Sequence, residues 1–138
     1  MTYVVVAFLG LLGFAEAAPR LKAIMHEWKA DTATAEQMLA GRAPLDQAEL
    51  SRILEAFVSN SRDLQARATS ANAQAQDIKS RFASFEAMAK SALDAVSAED
   101  QLRKRFAQMR GQCRSCHDAY ANYRAPASRH YEVATAFR

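Results

Sequence analysis

The stretch LRKRFAQMRGQCRSCHDAY, residues 102–120, decides the fold. Leu102, Phe106, Met109, Cys113, His117 and Tyr120 recur in it at steps of four, three, four, four and three. That is the period of one face of an α-helix rather than the alternation of a half-buried strand. Pro126 stands beyond as a stop, leaving a tail that ends at Arg138.

The same period recurs upstream. Ile78, Phe82, Phe85, Met88, Ala89, Leu93 and Val96 predict a third helix, and Ser97 with Asp100 predicts a cap before the fourth. Leu50, Ile53, Leu54, Phe57, Val58 and Leu64 predict a second helix, opened by a capping box of Asp46 and Glu49. A first helix starts at Pro19, which suits a first helical position, and runs to about Leu39. Leu21, Ile24, Met25, Trp28, Ala35, Met38 and Leu39 supply its apolar surface, and Gly41-Arg42-Ala43-Pro44 ends it. Between Ala66 and Gln76 small and polar residues fit either a loop or a weakly packed helix end.

Composition agrees with a helical domain. The chain has 138 residues, 50% apolar and 24% charged, enough for one domain with a real core. Only 4 Gly and 3 Pro leave too little turn chemistry for a many-stranded β fold. The expected architecture is all-α, an antiparallel up-down-up-down four-helix bundle. A net charge of +3 without Lys/Arg clusters interleaved with aromatics gives nucleic-acid binding no support.

At the N-terminus, Tyr3 to Ala15 form an apolar run too short to span a bilayer comfortably. It suits a signal-peptide core, and Ala15-Glu16-Ala17 has the small-x-small pattern of a cleavage site, although no Lys or Arg precedes the run. The expectation is a leader over residues 1–17 and a domain over 18–138, exported to the periplasm and without stable membrane insertion once the leader is cleaved.

Cys113-Arg114-Ser115-Cys116-His117 is C-x-x-C-H, the attachment signature of c-type haem. The two thiols add across the porphyrin vinyl groups, and their separation of three places both sulfurs along one side of the ring. His117 follows at once and can reach the iron as proximal ligand. The pattern predicts one covalently attached haem c near the C-terminal end of the last helix. A thioredoxin-like pair would need a βαβ context, which is absent. A zinc site would need ligands besides the distant His26 and His130. A haem-free helical interaction module with an incidental motif is a third competitor.

A haem motif on the last of four helices resembles the class II c-type cytochromes, the cytochrome c-prime family. The resemblance covers nearly all of the chain after Ala18 and includes the 113–120 segment and the turn Gly-Arg-Ala-Pro-Leu-Asp at 41–46. It implies a four-helix haem protein with redox partner proteins, and a homodimer through the first two helices as one assembly state. One departure is visible. Many family members place Arg or Lys four residues after the haem His, where this chain has Ala121, with Arg124 as a substitute.

The residue on the other face of the iron sets the mechanism. In an antiparallel bundle the start of the first helix lies beside the end of the last. Met25 lies about six residues into the first helix, roughly 9 Å along its axis, and His117 lies roughly 10 Å before the end of the last. The two are therefore expected to be level. Met38 falls roughly 20 Å off that level and Met88 also falls off it. Met109 shares a helix with His117, Met1 lies in the leader, and His26 points about 100° away from Met25. By the resemblance, Met25 falls where the family places its distal residue, an aliphatic blocker in gas-binding members and Met in the low-spin branch. The expected iron ligands are thus His117 and Met25, with Cys113 and Cys116 holding the ring. Leu21, Trp28, Phe82, Phe106 and Tyr120 are expected around it, and Arg20, Lys22, Arg110 and Arg124 are candidates for its propionates.

Two functions follow from the distal choice. A low-spin His/Met iron suits a single-electron carrier that makes no bonds of its own, hence not an enzyme. A five-coordinate iron would bind nitric oxide or carbon monoxide, with Met25 only a pocket wall.

Overall fold

A computed structural model describes residues 17–69 and 71–120, with side chains from Arg20 onward. The leader expected at 1–17 lies outside them except for Ala17, and so do Ala121, Arg124 and the tail to Arg138. Four α-helices follow in order: α1 (Ala17–Leu39), α2 (Gln47–Arg67), α3 (Ala73–Asp94) and α4 (Glu99–Tyr120).

Each boundary has a local cause. Gly41 takes the left-handed conformation at φ +71° after α1, a region that costs a side chain with a Cβ. Asp46 caps α2 by accepting from the Glu49 amide at 3.0 Å. The ambiguous small-residue stretch divides here. α2 runs to Arg67, and α3 opens where Asn72 accepts from the Ala75 amide at 2.7 Å. At α4 the expected cap is displaced: Ala98, not Ser97, immediately precedes the helix, and its carbonyl accepts from the Leu102 amide.

α2 packs closely on α3 and α3 on α4, while α1 leans on α2. Polar ties show the antiparallel sense. Arg20 pairs with Asp63 and Asp31 with Arg52, so residue numbers rise along α1 as they fall along α2. Between α2 and α3, Arg62 and Gln65 both donate to Glu86.

The core is the sum of the four predicted stripes. Leu50, Ile53, Leu54, Phe57, Val58 and Leu64 of α2 are all buried, as are Ile78, Phe82, Phe85 and Ala89 of α3. Met88, Leu93 and Val96 are half-buried at its margin. On α4 burial fades along one stripe. Leu102, Phe106 and Met109 are buried, Cys113 is half-buried, and His117 is exposed. α1 and α4 stand apart along most of their length, so the end of this stripe faces a gap rather than a helix.

Candidate haem site

The gap is a cleft of about 480 Å³. One wall is a stripe of α1, carrying Met25, Trp28, Lys29, Thr32, Ala33 and Glu36; α4 supplies the other with Arg110, Cys113, Arg114 and His117. The volume falls within the range of about 300–1,000 Å³ usual for ligand and cofactor pockets. Glu36 and Arg110 tie the two walls by an ion pair at 2.6 Å.

The structure brings Met25 and His117 to the lining of one cleft from facing helices. Met25 is half-buried against the core, and His117 is exposed. Met38 and Met109 are buried in the core and Met88 lies half-buried at its edge, so Met25 is the one methionine of the described residues on this lining. His26 is exposed on α1.

Both thiols are half-buried and unpaired by any disulfide. Burial raises the Cys113 thiol above its ordinary range, with Arg110 working against it. Burial also raises Cys116, opposed by Arg81 and reinforced by Asp77. Both therefore stay protonated at neutral pH, and one helical turn separates them on a single side of α4.

Several residues expected around the haem lie elsewhere. Of the five apolar candidates only Trp28 lines the cleft. Phe82 and Phe106 are buried in the core, and Leu21 packs half-buried at its margin. Tyr120 turns toward α3, where its hydroxyl donates to Asp77. Among the propionate candidates, Arg20 is engaged with Asp63 and Arg110 with Glu36, while Lys22 is exposed. Conversely, Lys29, Thr32, Ala33, Glu36 and Arg114 were not anticipated. The signal for the four on α1 was the spacing 25, 28, 29, 32, 33 and 36, one helical stripe that continues from Met25.

The residues present suit a haem. The donor set combines two neutral thiols one turn apart with an imidazole directly after them. The indole Nε1 of Trp28, a cleft residue only 7% exposed, is buried without a hydrogen-bond partner among the described residues. A cleft where Met25, Trp28 and Ala33 of α1 face Cys113 and His117 of α4, with Cys116 one turn further along α4 and outside the lining, offers the apolar contact and the ligands that a covalently held porphyrin requires.

Comparison with known proteins agrees with this arrangement. Residues 17–121 match the family model described as Cytochrome C′. The chain belongs to the cytochrome C′ family. No curated protein and no solved structure matches it. Membership makes the chain a c-type cytochrome with covalently bound haem c and a four-helix fold, and the match spans all four helices. Among the described residues no helix is long and apolar enough to cross a membrane.

Proposed function

We propose that this cytochrome C′ family member is a periplasmic, monohaem single-electron carrier whose iron is held between His117 and Met25. The observation that carries the reading is the shared cleft: a thioether on α1 and an imidazole on α4 line the same cavity, and no other methionine of the described residues does. When bound, haem c supplies a one-electron iron couple. Cys113 and Cys116 would fix it covalently to α4, so that it cannot be lost to a partner. His117 would ligate the iron from α4 and Met25 from α1, which would leave no position for a substrate, so that the protein would make no bonds of its own.

A second reading is favoured by the family match, which speaks better for it than for the first. In it Met25 only walls the cleft, the distal face stays open, and the protein binds nitric oxide or carbon monoxide. Absorption spectra of the oxidised and dithionite-reduced protein separate the two. The His/Met reading expects a sharp, split low-spin reduced spectrum that does not respond to carbon monoxide, and a Met25→Ala variant that becomes high-spin and carbon monoxide-responsive. A wild-type protein already high-spin and responsive, with Met25→Ala indistinguishable from it, establishes the second reading instead.

A further inference from the structure

A polar cluster joins α3 to the last turns of α4, on the side of the haem motif away from the cleft. The Tyr120 hydroxyl donates to Oδ2 of Asp77. Arg81 Nε donates to the same oxygen at 2.7 Å, and its Nη1 donates to Ser115 Oγ at 3.2 Å. The Arg81 guanidinium also lies over the Tyr120 ring, 5.5 Å from its centroid. α3 therefore grips α4 at Ser115 and again at Tyr120, bracketing Cys116 and His117.

The cluster is charged as well as hydrogen-bonded. Its hydrogen bonds from Tyr120 and then from Arg81 hold the Asp77 carboxyl below the usual range, so the pair stands as a fixed anion and a fixed cation. Both charges act on Cys116. Arg81 is held by three neighbours and its side chain is 26% exposed, so solvent screens it less than a free surface arginine, whereas the Asp77 side chain is 44% exposed and is screened more.

We propose that Asp77, Arg81 and Tyr120 are positioning residues of the haem site. Together they fix the rotation of the Ser115–Tyr120 turn, and the two charges set the reduction potential of the iron held by the neighbouring His117. The proposal rests on the haem-c reading but not on the choice between five- and six-coordinate iron. Reduction adds one electron to the iron, so a fixed cation nearby favours the reduced form and a fixed anion the oxidised form.

The test is an equilibrium redox titration of the haem-loaded protein, followed by its absorption bands. Arg81→Gln removes the cation and leaves Asp77 uncompensated, so the potential falls. Asp77→Asn removes the anion, so the potential rises. The double variant returns close to wild type, and Arg81→Lys, which keeps the charge, stays closer to wild type than Arg81→Gln. Tyr120→Phe keeps both charges; it leaves the potential nearly in place and speeds amide hydrogen exchange over residues 115–120. A merely structural cluster would shift Arg81→Gln and Asp77→Asn in the same direction, and that result, or no shift in either, overturns the proposal. Wild-type protein purified without any haem band removes the haem-c reading itself, and the tuning role with it.

Discussion

Trp28 stacks one face of its indole on Phe85, ring centroids 4.6 Å apart, and meets Phe57 and Phe82 edge-on at 5.5 and 6.4 Å. These contacts join α1 to α2 and α3 directly behind the cleft. The same side chain leaves its Nε1–H buried and without an acceptor among the described residues. A buried donor in that state costs about 1–3 kcal/mol, which subtracts from what the ring contributes. Two substitutions separate these terms. Trp28→Ala removes the aromatic contacts and is expected to cost about 3–5 kcal/mol. Trp28→Phe keeps a ring and deletes the orphaned N–H, so its cost is expected to stay below about 1.5 kcal/mol. Urea denaturation of both variants measures the difference, and equal losses would mean that the indole N–H is satisfied after all.

At the scale of the element, α4 changes character along its length, from a core helix at Leu102 to a cleft wall at His117. Gly111 lies between the two parts, exposed, and a Cβ built on it meets nothing within 4 Å. Gly111→Ala should therefore stabilise the protein by about 0.5–1 kcal/mol, because a helical alanine loses less backbone freedom on folding. Gly41→Ala meets equally open space, yet its φ of +71° disfavours any Cβ, and the expected loss is about 1–2 kcal/mol. Thermal unfolding of the pair should move in opposite directions. The helices were legible because their apolar stripes and caps are local: the α2 stripe is buried as read, and Asp46 and Gly41 act where the turn chemistry placed them. The cleft was legible only in part. The periodicity of α1 picks out the face carrying Met25, but not that Phe82 and Phe106 point to the core or that Tyr120 turns to Asp77. Those outcomes depend on which helix covers which face, and that is settled between residues far apart in the chain.

Across the whole molecule, the polar ties are distributed unevenly over the four seams. α1 meets α2 through Arg20–Asp63 and Asp31–Arg52, and α4 reaches α3 through Arg105 on the Ser91 carbonyl and through the Asp77 cluster. The seam between α1 and α4 has the Glu36–Arg110 pair, which lies within the cleft lining itself. A bundle packed closely at α2–α3 and α3–α4, more loosely at α1–α2 and most lightly between α1 and α4 has room for a flat ligand without giving up its core. Glu86 is a heavily used carboxylate in this framework. It accepts from Arg62 and Gln65 of α2 and pairs with Lys90 on its own helix. These partners, Lys90 first, pull its pKa down to about 2 from an ordinary 4.5. A carboxyl lowered in this way stabilises the fold fully above its unfolded value and loses that contribution as pH falls through the folded one. Glu86→Gln should therefore cost about 1 kcal/mol at neutral pH. The gap between variant and wild type should narrow below about pH 4.5 and close near pH 2. Urea denaturation of both proteins across that range tests it: a gap that stays constant with pH would mean that Glu86 contributes through shape and neutral hydrogen bonds rather than through its charge.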